Sequence, residues 1–229
     1  MKNEKIKNVK PQKIVEIEKL ENIKEIEKQV DKSIKEINEK LNEEDKGKVE
    51  KLGDNYLVYM FFYKNEALKI GKDCNKNHNR YRYQHYNICA AKSTLAKSLY
   101  NEYITKGKES VLYKIMQDEK EEKEEKGKKY KELIETIEDF RNQMSKSIKT
   151  EIIPEKDSNS CTIKKIKGLS NYDKIRAEIG NIIVENMQRF VIKIPMDQKI
   201  SIVNFYEAAF QLEFQPRFEG FASQNKKEN

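Results

Sequence analysis

The sequence predicts an α+β fold. A small three-stranded antiparallel sheet is flanked by helices, preceded by a long amphipathic helix and interrupted by a helical insertion. Three observations carry this reading. Residues 56–63, YLVYMFFY, and 67–71, ALKIG, are aromatic and β-branched runs separated by the polar pair Asn65-Glu66, which is the pattern of a tight β-hairpin. Residues 190–194, FVIKI, form a further apolar run that Pro195 ends, and supply a third strand. Around these runs the apolar period changes from two to about 3.6, so strands alternate with helices that cover them.

In chain order, residues 1–10 are lysine-rich and read as loose. From Pro11 a helix is expected, because Ile14, Ile17, Leu20, Ile23, Ile26, Val30, Ile34, Ile37 and Leu41 recur every three or four residues between Glu and Lys. Such a seam is too apolar to stay in water. Residues 14–41 should therefore pair with a second copy, giving a homodimer, or lie on the core. Residues 43–53 are charged, contain Gly47 and Gly53, and read as a linker. After the hairpin, residues 92–104 read as a helix on Leu95, Leu99 and Tyr103, with Ser93 or Thr94 able to cap it. Residues 118–129 are nearly all charged and read as a solvated helix or tether. Leu133, Ile137, Phe140 and Met144 mark another helix, and residues 146–169 read as a polar loop. Helices follow over 172–187 and 200–214, the second stopped by Pro216. The expected organisation is an N-terminal helix in 1–50, a globular domain in 51–222 interrupted by an insertion at 107–169, and a polar tail at 223–229.

Composition narrows the function classes. The chain has 229 residues, with 37% hydrophobic and 37% charged residues, and a formal net charge of +7. The positive balance favours an anionic partner. Only Arg80, Arg82, Arg141, Arg176, Arg189 and Arg217 are arginines among 46 basic residues, which directs attention to what each planar fork holds. Cys74, Cys89 and Cys161 form no C-x-x-C pair and there are two histidines, which argues against a structural zinc site. The odd cysteine count points to a reducing compartment. No run is long enough for a membrane span and the N-terminus has no signal-peptide core, so a cytoplasmic protein without membrane contact is expected.

The motifs resemble those of the GIY-YIG endonuclease superfamily. LVY ends at Tyr59, where the family has a tyrosine on its first strand. Ten residues on, Lys69-Ile70-Gly71 stands at the second motif, with the lysine that some restriction-type members carry in place of tyrosine. Arg80 follows eleven residues later, at the place of the family's helix arginine. Glu207 stands nine residues before Pro216-Arg217-Phe218, the spacing of the family's metal-binding glutamate from its P-R-aromatic segment. The resemblance covers residues 55–105 and 172–222. It departs at Leu57, where the family has glycine, and at Glu219, where it has asparagine.

The resemblance implies a metal-dependent endonuclease acting on double-stranded DNA. It assigns catalysis to Tyr59, Lys69, Arg80 and Glu207, with His85 added from the local sequence and with Mg2+ or Mn2+ on Glu207. The chemistry is consistent with this set. One carboxylate suffices for magnesium, which otherwise keeps water and substrate oxygens. Arg80 suits a phosphate gaining charge, Tyr59 a proton acceptor if neighbouring Lys69 lowers its pKa, and His85 an orienter of water or phosphate. All five are expected on one groove. Taken singly, each also fits a plain role: Tyr59 as one of several hairpin aromatics, Lys69 as an edge-strand lysine, Arg80 and His85 as a solvated basic loop, Glu207 as an exposed helix residue. Two rival functions fit the sequence as well. Arg80 to His85 matches the R-x4-H pattern of the all-helical HEPN ribonucleases, but it follows a hairpin here. A GIY-YIG-like binding module without activity, recruiting nucleic acid or protein through its N-terminal helix, is the other.

Overall fold

The computed structural model describes residues 13–16, 23–41, 51–88, 94–122, 124–147 and 172–219. Contacts divide the chain into two units, Met1–Tyr83 with Val184–Asn229, and Gln84–Ile183.

The first unit contains a four-stranded mixed sheet among the described residues. Strands β2 (Asn55–Tyr63) and β3 (Glu66–Asp73) form the expected hairpin, and β4 (Gln188–Pro195) pairs antiparallel with β2. The fourth strand, β1 (Lys13–Glu16), runs parallel to β4 and makes the order β1-β4-β2-β3. This corrects two expectations. The sheet has four strands rather than three, and residues 13–16 are extended where the helical stripe was expected to begin. Ile14 and Val15 are stiff, β-branched residues, and the open edge of β4 offers them backbone partners that a first helical turn lacks. Helix α1 starts later, at Ile23, and runs to Leu41.

One sheet face forms the main core. Val58, Met60, Phe62, Ala67, Ile70, Phe190, Ile192 and Ile194 pack there against Val30 and Ile37 of α1. The same core takes Val203, Tyr206 and Phe210 of the last helix, α7 (Ile200–Phe214). The seam of α1 thus lies on its own core, one of the two expected outcomes, and the described residues 13–16 and 23–41 belong to the first unit with the hairpin. The Lys13 ammonium reaches the Lys40 carbonyl near the end of α1, and Gln188 donates to the Leu41 carbonyl at 3.2 Å, so β1 and β4 both hold the helix C-terminus. Within the hairpin, the pairing shifts by one residue between Phe61 and Phe62, leaving Leu68 as an extra residue in β3.

Beyond β3 comes the short helix α2 (Asn79–Arg82). In the second unit, α3 (Leu95–Lys106), α4 (Val111–Glu122), α5 (Glu124–Ser147) and the greater part of α6 (Tyr172–Asn186) follow. Helix α3 was expected to cover the sheet and belongs instead to this second unit, which begins before the expected insertion and ends after it. Thr94 caps α3 by accepting from the Lys97 amide at 3.4 Å. Glu102 is buried yet satisfied. It accepts from the Val111 amide at 2.9 Å and from Lys106 at 3.0 Å, so one carboxylate serves the first turn of α4. Within the charged stretch, residues 118–122 and 124–129 are helical. Past Ser147 the expected polar loop, and the tail at 223–229, lie outside the described residues. No described helix is long and apolar enough to cross a membrane.

Candidate active site

The site builds on the sheet face opposite the α1/α7 core. Strand register pairs Leu57 with Asp73, Tyr59 with Gly71 and Phe61 with Lys69. Alternation then puts all six on one face, together with Arg189, Val191 and Lys193 of the neighbouring strand. Tyr59 is completely buried. Its ring lies across Gly71 so closely that a Cβ there would fall 2.6 Å from the hydroxyl and 2.8 Å from Cζ. The glycine of the second motif is therefore needed as space for the tyrosine of the first. Phe61 and Tyr81 wall the ring, with centroids at 5.9 Å and 5.3 Å.

Arg80 is delivered by the loop after β3, and a residue that the sequence reading did not single out fixes that loop. Asp73 is buried, and its two oxygens accept from the amides of Asn75 and Tyr81, each at 3.1 Å. One carboxylate thus ties the end of β3 to the turn of α2 that carries Arg80. His78 adds a second tie. It sits in the left-handed region at φ 47° and its Nε2 lies 3.1 Å from the Gly53 carbonyl. The signal for Asp73 was present in the sequence as an apolar-strand residue followed by Asn75 and Asn77, the composition of an Asx-type turn.

Four charges act on the Tyr59 hydroxyl. Burial is the largest influence and pushes its pKa far up; Arg80 opposes this, while Asp73, Glu207 and Glu219 reinforce it. This corrects the expected activation of Tyr59 by Lys69. The cation acting on the phenol is Arg80, and burial outweighs it, so the ligand-free site holds a neutral phenol at neutral pH. Lys69 is nearly inaccessible and pairs with Glu219 at 2.5 Å. In register it faces Phe61, one step diagonal from Tyr59.

Glu207 lies on α7, on the core side of the sheet, where its Oε2 accepts at 2.5 Å from Lys72, the residue that register sets opposite Val58. This fastens the helix to β3, and the other Glu207 oxygen makes no hydrogen bond among the described residues. Lys72 and Glu207 are each partly exposed, with 33% and 18% of the side chain accessible. Arg80 is half-buried and has neither a hydrogen bond nor an ion pair among the described residues. Tyr59, Arg80 and Glu207 are thus linked electrostatically, with Lys69 on the same face as Tyr59. His85 belongs to the second unit, is fully buried, and its Nδ1 accepts from the Leu95 amide at 3.2 Å, which satisfies a donor in the first turn of α3. Its role is to hold that helix start.

No group of three or more His, Cys, Asp or Glu side chains is arranged for a metal ion among the described residues. The donor set nevertheless fits magnesium held by one carboxylate, since that ion keeps several waters and substrate oxygens, and Glu207 has an oxygen to give. No family model, curated protein or solved structure matches the chain.

Proposed function

We propose that Tyr59 and Lys69 on one sheet face, Arg80 on the loop beyond β3, and Glu207 held on β3 from the α7 side serve together as a phosphodiesterase site for DNA, of the kind found in GIY-YIG endonucleases. The observation that carries this reading is Arg80. Arg80 is half-buried as a residue and no carboxylate among the described residues meets it, so its charge is open to an anion. Its fork matches two oxygens of a phosphate, and its short helix is secured by Asp73 at the edge of a buried tyrosine.

In this reading Arg80 receives the non-bridging oxygens and stabilises the charge they gain. The Tyr59 hydroxyl, wedged over Gly71, orients the attacking water as a neutral donor and acceptor. Glu207 would hold magnesium, which when bound supplies Lewis-acid relief of charge at the phosphate. Lys72 must then leave Glu207, and its partial exposure gives it room to turn to solvent. The net charge of +7 favours the approach of DNA. A binding module without cleavage is the second reading, favoured by the neutral Tyr59 and by the carboxylate already seated on Lys69.

Supercoiled plasmid with Mg2+ separates the two. The expected result is nicked and linear product from the natural chain and none from Glu207→Ala, which retains DNA binding through its lysines. Intact plasmid, or equal cleavage by Glu207→Ala, would overturn the nuclease reading.

A further inference from the structure

The pair formed by Lys69 and Glu219 has a geometry that a purely structural ion pair does not require. Lys69 projects from β3 on the Tyr59 face and is 1% accessible, whereas Glu219 is 20% accessible. Glu219 belongs to the turn that follows α7, and α7 packs on the other face of the sheet. To reach Lys69 the chain passes around the edge of β3. Helix α7 ends at Gln215 in the left-handed region, at φ 43°. The Arg217 and Phe218 amides then donate to the Ala67 and Leu68 carbonyls at 3.0 and 3.1 Å, and the Arg217 guanidinium meets Glu66 at 2.7 Å. A clamp on the strand edge thereby carries one carboxylate over to the only side of the sheet where Tyr59 lies. The same carboxylate is among the charges that keep the Tyr59 phenol protonated.

We infer that Glu219 is an internal anion that closes the site, occupying on Lys69 the place that a phosphate oxygen of the nucleic acid takes when substrate binds. This inference rests on the phosphodiesterase reading. A carboxylate and a phosphate oxygen compete for the same ammonium, and a phosphodiester offers Arg80 a second contact that Glu219 does not provide. Substrate therefore displaces Glu219, and in doing so removes a negative charge that opposed ionisation of Tyr59. Without substrate the pair keeps a buried ammonium compensated.

The two roles of the pair give opposite signs in one variant. Glu219→Gln removes the competing charge and keeps the shape. It should melt at a lower temperature, because Lys69 loses its buried partner. It should also bind a fluorescein-labelled DNA duplex, with Ca2+ in place of Mg2+, about tenfold more tightly, the size of one charged hydrogen bond gained. Adding Lys69→Met to Glu219→Gln should cancel that gain. Lower stability with an unchanged or weaker duplex affinity would overturn the inference. If Glu219→Gln does not fold, the natural chain decides through the 15N resonance of the Lys69 ammonium. It must shift when duplex saturates the protein, and an unmoved resonance rejects displacement. Tighter duplex binding by Glu219→Gln without cleavage by any variant with Mg2+ removes the nuclease reading and leaves the closure standing. Cleavage by the natural chain with no affinity gain removes the closure alone.

Discussion

Gly71→Ala tests the architecture of the site with one methyl group. The new Cβ would lie 2.6 Å from the Tyr59 hydroxyl oxygen, 2.8 Å from Cζ and 3.0 Å from Cε2. Relaxed contacts between such atoms are about 3.5–4.0 Å, so the ring must retreat by roughly 1 Å. It has nowhere to go, because Tyr59, Phe61 and Tyr81 are all fully buried and their rings already touch. Overpacking of this kind costs about 1–3 kcal/mol. In a chain of this size each kcal/mol lowers Tm by about 2–4 °C. Urea unfolding followed by circular dichroism reads the loss directly, and single-turnover plasmid cleavage should fall by about 10²-fold, the effect of misplacing a reacting group by about 1 Å. Removing the hydroxyl with Tyr59→Phe takes away the nearest clash, so the double variant should recover at least ~0.5 kcal/mol relative to additivity. A Gly71→Ala midpoint within ~0.5 kcal/mol of the natural chain would refute the packing of Tyr59 on this glycine.

Other perturbations address the remaining parts of the site. Arg80→Ala should reduce the single-turnover rate by about 10²-fold or more, and Arg80→Lys should restore little of it, because an ammonium does not reproduce the planar fork. Asp73→Ala strips the Asn75 and Tyr81 amides of their acceptor and should destabilise the first unit by about 1–3 kcal/mol in urea titrations, the cost of one buried donor at Tyr81, since the part-buried Asn75 amide can turn to water. Burial raises the phenol pKa of Tyr59, and of Tyr206, above the unfolded value of about 10. The folded chain then holds these protons longer than the unfolded chain does. Their contribution to stability is complete below pH about 10 and declines as the pH rises from there toward the folded values. Tyr59→Phe should therefore flatten the alkaline fall in stability measured by urea midpoints from pH 8 to 11 (about the range that brackets the unfolded phenol).

The hairpin and the strand at β4 were legible because their aromatic and β-branched runs are short and bounded by polar pairs or proline. So was α7, whose inward Tyr206 and Phe210 follow helical spacing. Strand β1 was not legible. Its isoleucine and valine also fit the helical stripe that continues through α1, and only the vacant edge of β4, a tertiary fact, decides between the two conformations. Motif spacing singled out Tyr59, Lys69, Gly71, Arg80 and Glu207, and the register sets Tyr59, Lys69 and Gly71 on one face. His85 was grouped with Arg80 by nearness in sequence, which carries no sign that the chain enters a second unit between them. Asp73 was missed although the Asn75 and Asn77 that follow it carry an Asx-turn signal, because its second acceptor contact, to the Tyr81 amide, lies eight residues on and leaves no local pattern. The pairing of Lys69 with Glu219 depends on a chain passing around a strand edge, which no local pattern encodes.

The extra residue at Leu68 decides which chemistry the sheet displays. Near the turn, Phe62 faces Ala67 and Tyr63 faces Glu66, and continuing that pairing would set Tyr59 against Ile70. The shift past Leu68 sets it against Gly71 instead. Side-chain parity along a strand is strict, so this single residue turns Lys69, Gly71 and Asp73 toward the tyrosine and sends Ile70 to the core. Paired without the bulge, the same chain would set Lys69 against Met60 in the core and present Ile70 to Tyr59. A chain lacking Leu68 would instead reach the present pairing through a regular ladder, with Lys69 opposite Phe61 and Gly71 opposite Tyr59. For this hairpin, the one-residue bulge therefore decides which face of the sheet the lysine and the glycine take.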